Sequence, residues 1–176
     1  MDAHEGLEMK DEIKFKVQMK VSYMYDFVMR TAYEGMKGIS GVIISVGAFI
    51  LYINGYGGND SFLNTMLIVI TALMFVNPVF LYYRAAKQVK LSPVYQNPLY
   101  YTADATGITI QQGEVENKIT WDGVMIVKKT RKNILVFGDR KHALIFPKEE
   151  LGEAYEPFLQ ILKENLPEHC VKKLTR

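Results

Sequence analysis

Between Ile39 and Tyr83 the chain contains no Lys, Arg or Glu, and its one acid there is Asp60. Two apolar runs, Ile39 to Tyr56 and Phe62 to Tyr83, are joined through Asn54 to Ser61, a polar segment with glycines at 55, 57 and 58. The first run has about 18 residues and the second about 22, against the roughly 20 that carry a helix across a bilayer. The pattern predicts two antiparallel transmembrane helices and a tight turn, a hairpin over residues 38–84. A buried hairpin in a soluble protein would need more surrounding chain than the rest of the sequence supplies.

The flanking charges orient this hairpin. Arg30 and Lys37 precede it, Arg84, Lys87 and Lys90 follow it, and the turn has no Lys or Arg. Basic flanks stay in the cytoplasm. The expectation is therefore a multi-pass protein of the inner cell membrane with both termini cytoplasmic. Tyr52, Tyr56 and Phe62 on one side and Tyr82 and Tyr83 on the other stand where interfacial anchors belong. Gly38, Gly41, Ser45 and Ala48 recur at steps of three and four, a small-residue face that allows close approach of another helix. That helix is either the second one of the same chain or one from a second copy, a homo-oligomer contact. Asn77-Pro78 predicts a kink in the second helix. No Asp, Glu, Lys, Arg or His lies inside either run, which argues against an ion or proton pathway.

The remaining sequence is rich in Lys and Glu, and its balance is even. The 176 residues carry a net charge of +2, too little to indicate nucleic-acid binding. The single cysteine, Cys170, allows no disulfide framework. Residues 1–11 are acidic, lack the apolar core of a signal peptide and are expected to be flexible. Residues 12–37 are expected to form a strand and a helix on the cytoplasmic side. Ile13, Phe15, Val17, Met19 and Val21 alternate with polar residues, the period of a half-buried strand. The following "SYMYDFVMRTAYEGMKG" predicts an amphipathic helix, either lying on the membrane surface or leading into the first span.

After Pro93 the texture is β. "NPLYYTADATGITIQQG" predicts two strands around a turn from Asp104 to Gly107. "NKITWDGVMIVKKT" predicts a strand interrupted at Asp122-Gly123, and "NILVFGD" and "HALIFP" predict two more. "EPFLQILKENL" predicts a closing helix through Phe158, Leu159, Leu162 and Leu166. Trp121 is expected to anchor the core beneath that helix. Short antiparallel strands ending in one helix predict a small barrel or sandwich over residues 93–167, followed by a tail at 168–176. The strand near Phe15 should join it. The fold class is thus an α+β membrane protein, a two-helix hairpin plus a small antiparallel β domain with a capping helix.

"YQNPLYYTADATGITI", "ITWDGVMIVKKT" and "ALIFPKEEL" carry a further signal. A Tyr-rich strand leads into Asp-x-x-Gly-Ile-x-Ile, a lone Trp precedes an acid, and a strand ends in Pro-Lys. In these features the chain resembles the YcxB-like family of bacterial membrane proteins. The resemblance implies a β domain like the pleckstrin-homology (PH) barrel, and it brings no catalytic residues.

Nothing in the residues supplies a reaction. His4, His142 and His169 lack partners at metal-binding spacing, no phosphate loop or nucleophile elbow occurs, and Glu149-Glu150 is read as a solvated face. No catalytic, cofactor or metal site is expected. Lys128, Lys129, Arg131 and Lys132 fill one hairpin tip, with Arg140 and Lys141 in the next turn. Such a cluster either contacts anionic lipid or a membrane protein partner, or is an ordinary solvated turn. The expected function is a non-enzymatic, membrane-anchored binding or scaffold module. The alternative is a subunit of a transport or toxin-immunity complex, with the spans as its working part.

Overall fold

The computed structural model describes residues 12–139, 142–172 and 174, with the side chain of Lys37 left out. Arg140, Lys141 and the segment expected to be flexible at 1–11 lie outside the described residues.

Two antiparallel sheets form the β domain. The first has the order β1 (Ile13–Val17), β2 (Leu99–Asp104), β3 (Gly107–Gln112) and β4 (Val115–Thr120); the second has β5 (Ile126–Lys129), β6 (Asn133–Phe137) and β7 (Ala143–Pro147). β1 joins the sheet across the whole intervening apolar segment, with Phe15 opposite Tyr101 and Val17 opposite Leu99. A single 3₁₀ turn, Trp121–Gly123, carries the chain from one sheet to the other. The structure corrects the closed-barrel alternative. β4 and β7 are not paired, and a cleft of about 450 Å³ lies between them, lined by Val115, Asn117, Leu144 and Ile145.

The core lies between the sheets and the C-terminal helices. Phe15, Tyr101, Phe146 and Phe158 meet with ring centroids 4.8–5.7 Å apart. Trp121 joins them, buried, with Nε1–H donating to the Asp104 carbonyl at 3.1 Å. Helix α4 (Pro93–Gln96) precedes β2, and after β7 a short helix α5 (Lys148–Leu151) leads to α6 (Tyr155–Asn165), which buries Phe158, Leu159, Ile161 and Leu162. Part of the tail expected at 168–176 instead joins the core. Helix α7 (Glu168–Val171) buries Cys170 and Val171, and Leu174 follows them inside. Pro167 starts this last helix, and its brevity hid the apolar periodicity.

β6 is buried at all five positions. Ile134 and Val136 face the main core, while Leu135 and Phe137 face a second one. That second core is made by α1 (Val21–Tyr33), through Tyr23 and Met24, and by α3 (Ser61–Leu91), through Ala85. Helix α1 therefore lies on the outer face of the second sheet and against α3.

The apolar stretch forms α2 (Met36–Ile53) and α3, joined by a turn. Asp60 caps α3 by accepting from the N–H groups of Phe62 and Leu63. Asn64 braces the turn through a bond to the Gly58 carbonyl, and a side chain at Gly57 would collide with it. α3 continues through Pro78 without a break. Asn77 bonds the Tyr33 hydroxyl at 3.0 Å rather than a freed backbone group.

Among the described residues one helix, α3, is long and apolar enough to cross a membrane, and only 11% of its most apolar window is buried. Its apolar side chains face outward, unlike those of a soluble core helix. α2 reaches span length only together with α1, from which it departs at 79°. From Ile39 to Ile53 it rises about 22 Å at 1.5 Å per residue, less than the roughly 30 Å hydrocarbon core.

Candidate functional site

The β5–β6 hairpin carries the basic tip, and its backbone is tied at several points. The N–H of Thr130 donates to the Asn133 carbonyl at 2.8 Å, and the Asn133 N–H donates to Thr130 Oγ1 at 2.9 Å. Lys148, in the Pro-Lys pair at the end of β7, donates its ammonium to the carbonyls of Thr130 and Arg131. Burial pushes the Lys148 amine down from its ordinary pKa, and the charge of Lys129 adds to this.

The four basic residues of the tip divide into two roles. Lys128 turns inward. Its ammonium pairs with Glu34 at 2.7 Å and lies 4.8 Å from the centre of the Phe137 ring. Lys129, Arg131 and Lys132 are exposed. Asp26 on α1 adds a second tie by accepting from Thr130 Oγ1 and from Asn133 Nδ2, the latter at 2.8 Å. The fully buried Asn133 also donates to the Tyr23 carbonyl at 3.0 Å. The tip is thus held along α1 from Asp26 to Glu34, and Glu34 stands two residues before α2 begins.

Sequence reasoning missed Asp26 and Glu34 as partners, since neither lies near the tip in the chain. It also missed a second cluster. Glu149 and Glu150, read as solvated, receive the Tyr23 hydroxyl at 2.7 and 3.2 Å, and Lys20 pairs with both. The Tyr23 and Lys20 bonds hold Glu149 below the usual carboxylate range. Burial pushes Glu150 up, but Lys20, the Gln18 N–H and Tyr23 outweigh it and leave the group low. Burial raises the Tyr23 phenol to about 12. This cluster fastens the start of α1 to α5.

The four small residues of α2 are divided as well. Ser45 and Ala48 are buried where α2 packs on α3. Gly38 meets α1, and a Cβ there would stand 2.5 Å from the Tyr33 Cα. Gly41 opens on a groove of about 660 Å³ between α2 and α3, also lined by Tyr33, Ser45, Leu73 and Asn77. Among the described residues no group of three or more His, Cys, Asp or Glu could hold a metal ion. Cys170 is buried beside the Met125 carbonyl, while its neighbour His169 is exposed.

No curated protein and no solved structure gives a significant match to the chain. The segment from the end of β2 through most of α6 holds the Asp104–Gly107 turn, Trp121, the basic tip and Lys148; this segment, residues 103–162, matches the family model of the YcxB-like proteins.

Proposed function

We propose that this protein is a membrane-anchored binding module, with a PH-like β domain on the cytoplasmic face of the inner membrane of a bacterium. In this reading α2 and α3 form a hairpin with its turn outside and both termini inside. The basic tip then meets anionic head groups, or a membrane protein partner, at the inner leaflet. The supporting observation is the fastening of the tip to α1 and to Glu34, two residues before α2, which leaves three exposed cations on a hairpin held next to the start of α2. Cations near an anionic leaflet contribute about 1 kcal/mol each. The flanking Arg84, Lys87 and Lys90 place further positive charge on the same side of α3.

The test uses the full chain with a photoreactive side chain at Arg131, reconstituted in phosphatidylcholine vesicles with and without phosphatidylglycerol. Capture of phosphatidylglycerol that fades as salt is raised supports the lipid contact. No lipid capture in either vesicle, with capture of one protein in native membranes, assigns the tip to a protein partner. Absence of both refutes the reading.

The groove between α2 and α3 favours a second reading, a subunit of a transport or toxin-immunity complex. An apolar groove with the Tyr33–Asn77 hydrogen bond at its wall could seat a helix of another subunit. Filling it with Gly41→Leu would abolish function in that case and leave the tip's contacts intact.

A further inference from the structure

An antiparallel sheet leaves unpaired backbone at each edge, and proteins blunt such edges with helices, prolines or bulges. Three of the four edges here are managed. α5 packs against β1, and α7 packs against β5. β7 ends at Pro147, which has no N–H, and α1 and α5 pack on it. β4 is different. It contains no proline, and Val115 to Lys118 are exposed on both faces of the strand. Val115 is 62% exposed although it points to the same side as the half-buried Ile119.

The sequence of that edge, Val115-Glu116-Asn117-Lys118-Ile119, is complementary to itself in antiparallel register. Centred on Asn117, the pairing places Glu116 opposite Lys118 of a second copy, and Lys118 opposite that copy's Glu116. Val115 then faces Ile119, and Ile119 faces Val115. Opposite charges and apolar pairs directly across an antiparallel ladder stabilise it, and like charges do the reverse. Asn117 faces its own counterpart on the two-fold axis, so one register satisfies both ionic pairs and both apolar pairs. Lys118 already reaches Asp104 within its own sheet at 3.5 Å, a loose and exposed pair that water screens.

We infer that β4 is a dimerisation edge, through which two copies of this chain join their four-stranded sheets into one continuous sheet with Asn117 at its centre. Charge complementarity selects the occupant. A second copy presents the matching Lys and Glu at the matching spacing. The inference rests on the sheet edge alone and stands independently of the proposed lipid contact.

Register-specific crosslinking of the full chain in membranes tests it. At the centre of such a pair the two Cα atoms lie about 4.5–5.5 Å apart, inside the disulfide range. Asn117→Cys should therefore give a disulfide-linked dimer on mild oxidation. Val115→Cys alone should not, because its two copies would stand about 13 Å apart along the strands. Co-expressed Val115→Cys and Ile119→Cys chains should crosslink to each other. The unaltered chain is the control, since its cysteine is buried. In the Asn117→Cys background, Glu116→Lys or Lys118→Glu should lower the yield about threefold or more, and the double exchange should restore it. No dimer at residue 117, equal crosslinking at 115 and 117, or failure of the double exchange to restore the yield would overturn the assignment.

Discussion

Asn133→Asp is close to isosteric and changes one buried group. In the native chain Asn133 Nδ2 donates to the Tyr23 carbonyl at 3.0 Å and to Asp26 at 2.8 Å, with the residue fully buried. The substitution turns that donor into an acceptor and places a carboxylate against a carbonyl and a second carboxylate. The bond to the neutral carbonyl is worth about 1 kcal/mol and the bond to the charged Asp26 about 1.5–3 kcal/mol. An uncompensated buried charge brings the loss to about 3–5 kcal/mol at neutral pH. That is a large share of the roughly 5–15 kcal/mol by which a domain is folded. The sign with pH follows from linkage. The new carboxyl has a folded-state pKa above its unfolded value of about 3.9. Its penalty is therefore full above the folded-state pKa and fades as pH falls toward the unfolded one. A protonated carboxyl can donate to Asp26 again. Urea unfolding in detergent, read as the difference between variant and native chain at each pH, isolates this group from the other carboxylates. Asn133→Ala, which adds no charge, should lose less and show a weaker pH dependence. An Asn133→Asp deficit under about 1 kcal/mol at neutral pH, or one that does not shrink in acid, would refute the argument that this amide ties α1 to the second sheet.

Glu34→Gln and Lys128→Met should each weaken the tip's attachment. A double-mutant cycle should give a coupling of about 1.5–2 kcal/mol, the lower part of the range for charged hydrogen bonds, and faster amide exchange over residues 129–132 in each variant should accompany it. Tyr23→Phe should cost about 1 kcal/mol and flatten the acid limb of the stability curve. Glu149 and Glu150 are held low, so their contribution is present above the unfolded carboxylate pKa and is lost as pH falls through the folded one; urea midpoints across the acid range report it. Gly38→Ala should destabilise by about 1–3 kcal/mol by overpacking, since its Cβ would meet the Tyr33 backbone. Gly41→Ala, with open space around it, should be neutral or stabilising by about 0.5–1 kcal/mol, and thermal unfolding in detergent separates the two.

The parts of the fold that the sequence revealed are those in which one short segment declares its own environment. The alternation from Ile13 to Val21 marked a strand with one buried face; the strand itself ends at Val17 and Val21 already begins α1, but it joined the sheet after the apolar segment, as a lone strand must. The unbroken "NILVF" run belongs to a strand buried on both faces. What covers its second face could not be read, because α1 offers Tyr23 and Met24 from more than a hundred residues away. The interruption at Asp122-Gly123 was visible, whereas its use as a crossing between two sheets depends on β4 and β7 staying apart. At the tip, Lys128 to Lys132 announced charge. Only the folded chain shows Lys128 turned inward to Glu34, so that three cations rather than four face outward.

The second core explains why the apolar hairpin and the β domain behave as joined parts rather than as a domain on a flexible leash. α3 runs unbroken from the capped turn at Asp60 to Leu91, about 46 Å at 1.5 Å per residue. Its last turns are not a linker, because Ala85 is fully buried and Val89 packs beside it against α1 and the second sheet. α1 in turn is pinned at its start by Lys20, Tyr23, Glu149 and Glu150, in its middle by Asp26, and at its end by Glu34. Tight packing transmits displacement, since packed cores deform little. A tilt of α3 therefore moves α1, and α1 carries the basic tip with it. The same few contacts that fix where the cations stand also couple them to whatever environment surrounds the apolar helices.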